Sequence, residues 1–254
     1  MVAPISLQLY TLRDALAQDF AGVIRRVADM GYIGVETAGF PGTTYTEAAR
    51  LFREMGLQVS GAHVPLPLGD KKAEVLETMD ALGCRYLICA WLDPDRYFGT
   101  PDQIRQACDL LNEASAVARA NGLILAYHNH WFEYQPVVGR PAYQYMLDYL
   151  DPEVVFEVDT YWVKTAGCDP VEVVRTLGHR APLLHIKDGP CVREQPMVAV
   201  GAGSMDFPAI IAAAETTVEW LVVELDRCAT DILEAVQASY NYLTGSGLAR
   251  GNVG

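Results

Sequence analysis

The sequence predicts an α/β protein that folds as a single closed (β/α)8 TIM barrel. Three observations lead to this fold: eight short runs rich in Val, Ile and Leu, amphipathic stretches between them, and a length of 254 residues, which is typical of this barrel. The strand candidates lie near residues 4–9, 33–37, 57–63, 85–90, 123–128, 154–159, 182–187 and 220–225. No linker or block of charge interrupts the alternation, so we expect one domain over residues 1–254.

The junctions between helices and strands share one pattern, in which an amphipathic stretch ends at a glycine and a β-rich run follows. It occurs in DMGYIGVET, EMGLQVSGAH, ALGCRYLICA and ANGLILAYHNH. Glycine directly after a helix accepts the left-handed conformation that ends it. Apolar spacing predicts a helix over residues 15–30, and Thr100 followed by Pro101 predicts the start of another.

An open, doubly wound sheet is the rival fold. Such a sheet is expected to carry a phosphate-binding glycine fingerprint after an early strand. The segment GVETAGFPG has neither the required spacing nor a helix start after it, so the closed barrel is favoured.

Composition and charge exclude several classes of protein. With 51% hydrophobic and 20% charged residues, the chain is neither disordered nor collagen-like, and it contains no apolar run of about 20 residues that could span a membrane. The net charge of −13 repels nucleic acid on average. The start of the chain lacks a secretion signal, and the six cysteines form no CxxC pair, so we expect a cytoplasmic protein with reduced thiols.

Polar or ionisable residues close seven of the eight strand candidates. The active site of a (β/α)8 barrel lies at the carboxyl ends of its strands, and a charged group there is costly unless it is paired or bound to a metal. The residues at these ends are Gln8, Glu36, His63, His128 with Asn129 and His130, Asp159, His185 and Glu224.

Three strand ends of similar form, VVFEVDT, LLHIKD and LVVELD, suggest a metal site. Asp159, His185 and Glu224 would bind a divalent cation together with a fourth carboxylate, for which the segment after strand 5 offers Glu133. Mixed oxygen and nitrogen ligands suit Mn²⁺, Zn²⁺, Co²⁺ or Fe²⁺, whereas oxygen ligands alone would favour Mg²⁺ or Ca²⁺. The alternative is a mouth of paired polar side chains without a metal.

Several motifs carry a resemblance to a known family. YHNHWFEY, FEVDTYWV, LLHIKD, VGAGSMDFPAI, VVELD and the opening LQLYTLRD resemble the sugar phosphate isomerase/epimerase family, the xylose-isomerase-like TIM barrels that include inosose dehydratase. The motifs follow the family's order from residue 6 to residue 226. The resemblance implies one divalent ion, Mn²⁺, Zn²⁺, Co²⁺ or Mg²⁺, held by Glu133, Asp159, His185 and Glu224.

The strand-5 ligand departs from the family's pattern. Several relatives have a glutamate at the very end of strand 5, where this chain has His128 or Asn129. Either Glu133 reaches back from the loop or His128 replaces the glutamate.

The implied activity is that of a metal-dependent isomerase or epimerase of a ketose-like sugar or polyol. Such enzymes remove a proton next to a carbonyl through a metal-stabilised enediolate. Glu133 and Glu224 are the expected acid/base pair. Lys187 would stabilise negative charge on an oxygen, or alternatively form an ion pair with Asp159 or Glu157.

The expected partner is a small sugar or polyol. The residues expected to contact it are His63, His128, His130, Glu36, Trp91 and Trp162. The glycine-rich segment 200–207 could hold a phosphate, as loops after strands 7 and 8 often do in barrels. Lysine and arginine are sparse at the strand ends, so we expect a neutral substrate.

Other functions are open at this stage. A lyase, such as an inosose dehydratase or an eliminase of 3-keto-sugars, shares the enediolate step. An abasic-site endonuclease shares the barrel, but it needs about three zinc ions and a basic groove, which five histidines and a net charge of −13 do not favour. A sugar-binding protein without activity is a fourth reading. Members of this family often form dimers or tetramers, so a homo-oligomer is among the partners that the resemblance implies.

Overall fold

Eight parallel strands close into a barrel, as the sequence predicts. The computed structural model describes residues 2–214 and 216–252. The strands are β1 (Ile5–Gln8), β2 (Gly34–Ala38), β3 (Gln58–His63), β4 (Tyr86–Cys89), β5 (Ile124–His128), β6 (Pro136–Val137), β7 (Arg140–Pro141), β8 (Val155–Asp159), β9 (Leu183–Ile186) and β10 (Trp220–Val223). The barrel order is β1-β10-β9-β8-β5-β4-β3-β2, and β6 and β7 form a small antiparallel hairpin after β5. Each barrel strand begins and ends within two residues of its predicted range.

Helices surround the barrel and alternate with its strands. They are α1 (Arg13–Gln18), α2 (Phe20–Asp29), α3 (Tyr45–Glu54), α4 (Lys72–Leu82), α5 (Pro94–Tyr97), α6 (Pro101–Ala120), α7 (Ala142–Tyr149), α8 (Thr160–Thr165), α9 (Pro170–Leu177), α10 (Phe207–Ala213) and α11 (Ile232–Gly245). None of the helices in the described ranges combines the length and the apolar character needed to cross a bilayer.

The predicted helix over residues 15–30 is two helices. The chain leaves the helical conformation at Asp19, whose φ is −149°, and the Oδ1 atom of Asp19 accepts a hydrogen bond of 2.8 Å from the backbone N–H of Gly22. An acidic N-cap of this kind starts a helix afresh. The predicted start at Thr100 is confirmed, because its Oγ1 accepts a hydrogen bond from the N–H of Gln103.

The inward-facing side chains of the barrel change from apolar or small to ionisable along the strands. Low in the barrel, the buried hydroxyls of Ser6 and Ser60 lie 2.7 Å apart. Closer to the carboxyl ends, Nε2 of Gln8 donates a hydrogen bond of 2.6 Å to Oε1 of Glu36. Because β1 and β2 are neighbours with Gln8 opposite Glu36, the strand register itself places this pair inside the barrel. The polar layer lies at the end where barrels carry their active sites.

Candidate metal centre

A cavity of about 630 Å³ opens at the carboxyl ends of the strands. Its walls are formed by Tyr10, Arg13, Ala38, His63, Ala90, Trp91, His128, His130, Trp162, Glu224, Asp226 and Arg227. Five of the six residues predicted to contact the substrate are among them. The sixth, Glu36, is fully buried and hydrogen-bonds His63 and His185.

Four buried side chains at this end could share one metal ion. His128, Asp159, His185 and Glu224 each offer one ligand atom, and these atoms lie within 4.8 Å of one another. The residues lie at the ends of β5 and β8, within β9 and directly after β10, so four strands converge on one point. The structure thus brings together three of the residues that the sequence suggests as ligands, with His128 as the fourth.

Glu133 has a different position from the other predicted ligands. Its Oε1 accepts a hydrogen bond of 2.6 Å from the hydroxyl of Tyr127, and its Oε2 accepts one of 2.8 Å from the backbone N–H of His130. The side chain is fully buried, and burial raises the pKa of Glu133 to about 8. Among the described residues, the groups that could share an ion do not include Glu133. Its carboxyl group holds the loop after β5 against the barrel.

Glu157 lies one layer deeper and binds three imidazoles. Its Oε2 lies 2.8 Å from Nε2 of His63, 3.0 Å from Nδ1 of His128 and 3.1 Å from Nε2 of His185. These four residues also satisfy the distance condition for a shared ion. The sequence indicates only that Glu157 shares a strand face with Asp159 and needs a partner. The spacing of two residues along β8 was the available signal for its place in the site.

His128 and His185 each contact one carboxylate of the four-residue group with one ring nitrogen and a deeper carboxylate with the other. Nδ1 of His185 lies 2.8 Å from Glu224, while its Nε2 lies 2.7 Å from Glu36. In His128, Nε2 faces Asp159 at 3.9 Å and Nδ1 faces Glu157. A carboxylate on the second nitrogen fixes the tautomer and the orientation of a metal-binding imidazole. Glu36 contacts the second ring nitrogen of His185 in this way, and Glu157 contacts that of His128.

Lys187 lies among three carboxylates. Its Nζ is 2.9 Å from Oδ2 of Asp159, 2.6 Å from Oε2 of Glu224 and 2.9 Å from Oδ2 of Asp226. The lysine is 1% exposed, and although burial lowers its pKa, the three carboxylates raise it well above its usual value. Lys187 therefore stays charged, and it forms the ion pair with Asp159 that the sequence offers as an alternative role.

The histidines differ in charge. Burial lowers the pKa of His128 well below its usual value, and the neighbouring His185 lowers it further. Burial also lowers the pKa of His185, but Glu157 and Glu36 outweigh it and raise the pKa well above the usual value. His63 behaves like His185. Burial lowers its pKa, but Glu36 and Glu157 outweigh burial and raise the pKa to about 10. His128 is thus a neutral imidazole with a free lone pair, which is the form that binds metals.

The charge balance of the site fits a divalent cation. Without a metal, five largely or fully buried carboxylates face three cations, namely Lys187 and the protonated imidazoles of His63 and His185. The carboxylates are Glu36, Glu157, Asp159, Glu224 and Asp226, so negative charge is in excess. Within the described part of the chain, Oε2 of Glu36 and Oε1 of Glu157 have no hydrogen-bond partner. Buried carboxylates need counter-charge, and two imidazoles with two carboxylates are a donor set that suits Mn²⁺, Zn²⁺, Co²⁺ or Fe²⁺.

Aromatic side chains form part of the cavity wall. Trp91 is 51% exposed, and its ring packs edge-on against His130 at a centroid distance of 4.7 Å. Burial lowers the pKa of His130 to about 3, so this imidazole is neutral, and its buried Nδ1 has no partner among the described residues. Trp162 is buried, and its ring lies 5.6 Å from Nζ of Lys187. The cavity thus offers aromatic faces beside hydrogen-bonding groups.

Six cavity residues were not among the predicted site residues: two are the alanines Ala38 and Ala90, and four are polar or charged. Tyr10 and Arg13 follow β1, with the guanidinium group over the tyrosine ring at 4.2 Å, and Asp226 and Arg227 follow β10. The signal for Asp226 was its spacing of two residues from Glu224, the same spacing that indicates Lys187 after His185. Arg13 had no such signal, because it lies in the first turn of α1 rather than at a strand end.

Solved structures with the same fold include sugar isomerases and epimerases as well as an AP endonuclease of family 2 and a probable 3-DHS dehydratase. Two are described as sugar phosphate isomerase/epimerases from Parabacteroides distasonis. One is 27% identical with a TM-score of 0.83, covering 98% of this chain and 100% of its own. The other is 24% identical with a TM-score of 0.82, covering 98% and 96%. The IolI protein with a bound zinc atom is 17% identical with a TM-score of 0.73, covering 96% and 98%.

Sequence comparison identifies the family directly. No curated protein matches this chain. The sequence pattern of the xylose isomerase-like TIM barrel family matches residues 24–243, which include every residue of the candidate centre. This chain belongs to the xylose isomerase-like TIM barrel family.

Proposed function

We propose that this protein is a divalent-metal-dependent isomerase or epimerase of a ketose-like sugar or polyol. The observation that carries the proposal is the buried group of His128, Asp159, His185 and Glu224, next to a cavity of about 630 Å³ with aromatic walls. Cavities of this size accept small organic ligands. The sugar isomerase/epimerase descriptions of structures with the same fold support the choice of substrate class.

The four residues of this group are the ligands that we propose, with His128 in the place that the sequence left open between His128 and Glu133. A bound divalent ion would polarise a substrate carbonyl and stabilise the negative charge that develops when the neighbouring proton leaves. Glu36 and Glu157 hold the imidazoles of His185 and His128 in the orientation that such an ion requires.

Glu224 is the general base of the proposal. It lines the cavity, and although burial raises its pKa, Lys187 and His185 outweigh burial and hold the pKa well below the usual value. Glu224 is therefore ionised at neutral pH, and we assign it the role of base because it is the carboxylate of the four-residue group that lines the cavity. Lys187, 2.6 Å away, positions this carboxylate and adds positive charge beside the reacting carbon.

Metal content tests the proposed ligands. Protein purified without chelator should contain about one transition metal ion per chain by elemental mass spectrometry. Asp159→Asn is the sharper variant, because Oδ1 of Asp159 also accepts a hydrogen bond of 2.9 Å from the N–H of Trp162 at the start of α8. Asparagine can keep this N-cap while it weakens metal binding, whereas Asp159→Ala loses both. Wild-type protein that takes up no Mn²⁺ or Co²⁺ would overturn the proposal.

Turnover distinguishes the remaining activities. The metal-loaded protein is offered a panel of free ketoses and inososes, and products are separated by chromatography. A new ketose or aldose of equal mass indicates isomerisation or epimerisation, and a product lighter by one water with enone absorbance indicates the lyase. About three zinc ions per chain, with cleavage of DNA at abasic sites, would indicate the endonuclease instead.

A further inference from the structure

The loop after β9 contains a pocket of backbone amides that is filled by a side chain of the protein itself. The carboxylate of Asp188 accepts hydrogen bonds from four backbone N–H groups. Gly201 and Gly203 donate to Oδ2 at 2.9 Å each, while Gly189 and Met205 donate to Oδ1 at 2.9 and 3.1 Å. Asp188 is 1% exposed, so its carboxylate takes the place of a bound anion.

At the glycines of this loop, the backbone packs closely around that carboxylate. A Cβ atom on Gly203 would lie 2.2 Å from Oδ1 of Asp188 and 2.4 Å from the backbone nitrogen of Gly189. Gly201 has a φ of +91°, which few other residues adopt. The close approach of the backbone to Asp188 therefore requires glycine at position 203, and the turn that aims the amide favours glycine at 201.

The remaining amides of the segment are also engaged. The N–H of Ala202 donates to the carbonyl of Ala199 at 3.0 Å, and the N–H of Ser204 donates to the carbonyl of Gly189 at 3.2 Å. From residue 201 to residue 205, every backbone N–H thus has an acceptor within the protein. A phosphate could use these amides only after displacing Asp188.

We infer that Asp188 is a specificity-determining residue and that the substrate carries no phosphate. In (β/α)8 barrels, the glycine-rich loops after strands 7 and 8 commonly bind a substrate phosphate through backbone amides. Here the loop after the seventh barrel strand likewise directs four backbone N–H groups to one point, and an internal carboxylate occupies that point. This inference rests on the proposed function, and it restricts the ketose-like substrates to unphosphorylated sugars or polyols.

The cationic side chains of the cavity wall do not form a second site for a substrate phosphate. Arg13 donates to the backbone carbonyls of Tyr10 and Asp226, and Arg227 donates to the carbonyl of Arg193. Two carboxylates of the same wall, Glu224 and Asp226, offset their charge. A phosphate dianion placed there would meet neighbouring negative charge.

A pair of variants tests whether the amide pocket is closed by Asp188. Asp188→Ala removes the carboxylate and leaves four N–H groups without an acceptor, whereas Asp188→Asn keeps the pocket filled by a side chain of the same size. With inorganic phosphate at about tenfold its Kd, we expect the Tm of Asp188→Ala to rise by about 3 °C or more. The wild type and Asp188→Asn should not respond. A phosphate-dependent rise in the wild type would overturn the inference, as would no response of folded Asp188→Ala.

Kinetics of the wild-type protein test independently whether the substrate carries a phosphate. They apply even if Asp188→Ala does not fold. Each free ketose that is converted is compared with its phosphate ester, and we expect kcat/KM to be about 10- to 100-fold higher for the free sugar, because the phosphate finds no paired donors. Equal or higher kcat/KM for the ester would overturn the inference. If no ketose reacts at all, the proposed function fails, while the phosphate titration of the variants still decides the role of Asp188.

Discussion

Nε2 of His185 lies 2.7 Å from Oε1 of Glu36, on the side of the ring that faces away from Glu224. Both residues are fully buried, and Glu36 itself is held by a hydrogen bond from Gln8. Although burial raises the pKa of Glu36, His185 and His63 lower it well below its usual value, so this carboxylate is charged. A charged acceptor on Nε2 leaves Nδ1 as the nitrogen that points to the proposed ion.

Replacing Glu36 should weaken metal binding without removing a ligand. For Glu36→Gln we expect the affinity for Co²⁺ to fall about 10- to 100-fold, because the imidazole of His185 loses its charged hydrogen-bond acceptor. Competition with a chromophoric chelator measures the affinity. Glu77→Gln on the exposed face of α4 is the matched control and should bind Co²⁺ as the wild type does. Equal affinities in both variants would show that Glu36 does not orient the site.

Removing Lys187 should destabilise the metal-free protein. Lys187→Met leaves Asp159, Glu224 and Asp226 without their cation, and breaking a buried ion pair on one side costs about 3–5 kcal/mol. Urea unfolding at pH 7.5 measures the loss. The loss should shrink at pH 5, because burial raises the pKa of Asp226 to about 6 and protonation then removes an unpaired charge.

An exposed lysine serves as the control. Lys71 forms a surface ion pair with Glu74, so Lys71→Met should change the free energy of unfolding little at either pH. If Lys187→Met lowered the free energy of unfolding as little as Lys71→Met does, the three carboxylates would have to relax into solvent.

Glu133 should make the stability of the metal-free protein depend on pH. Its pKa is about 8 in the folded protein and near 4.5 when unfolded, so between these values the folded state holds more protons and stability falls as pH rises. The slope approaches about 1.4 kcal/mol per pH unit. In Glu133→Gln this contribution disappears, and urea unfolding at pH 5.5, 7 and 8.5 should give a flatter profile than for the wild type.

The same variant decides whether Glu133 takes part in catalysis. Because the carboxyl group is held by Tyr127 and the N–H of His130, we expect kcat of Glu133→Gln to fall less than about tenfold. A general acid or base contributes about 10²- to 10⁴-fold, so a loss of that size would restore Glu133 to the acid/base pair expected from the sequence.

Trp91 should contribute to substrate binding rather than to folding. Half of its surface is exposed, and its ring forms part of the cavity wall. An aromatic face against a sugar contributes about 1 kcal/mol, so Trp91→Ala should raise KM about five- to tenfold with a similar kcat. Tm should change little. A fall in kcat at constant KM would contradict this assignment and place Trp91 near the reacting atoms.

The barrel could be predicted from the sequence because each strand carries its own local signals. Apolar runs of strand length and glycines at helix ends depend on neighbouring residues only, and the eight strands lie where these signals place them. The break at Asp19 was missed because the apolar spacing continues through it, while the capping hydrogen bond to Gly22 depends on backbone geometry.

The site could be predicted only in part. Asp159, His185 and Glu224 converge because parallel strands bring their carboxyl ends together, which topology alone ensures. His128, and not Glu133, belongs to the residues that lie close enough to share an ion, and the Glu133 carboxyl group is instead bound by the hydroxyl of Tyr127, a contact that residue types do not give. Likewise, the closure of the glycine-rich loop by Asp188 depends on contacts across 13 to 17 residues, which residue types alone do not give.

Asp159 connects two parts of the molecule through its two carboxylate oxygens. Oδ2 faces the candidate ion with Lys187, and Oδ1 caps α8, the helix that carries Trp162 into the cavity wall. A change in the charge around Asp159 is therefore transmitted within one helical turn to an indole ring. The protein carries its own fluorophore beside the centre, so that loading of the site can be followed by tryptophan emission without a label.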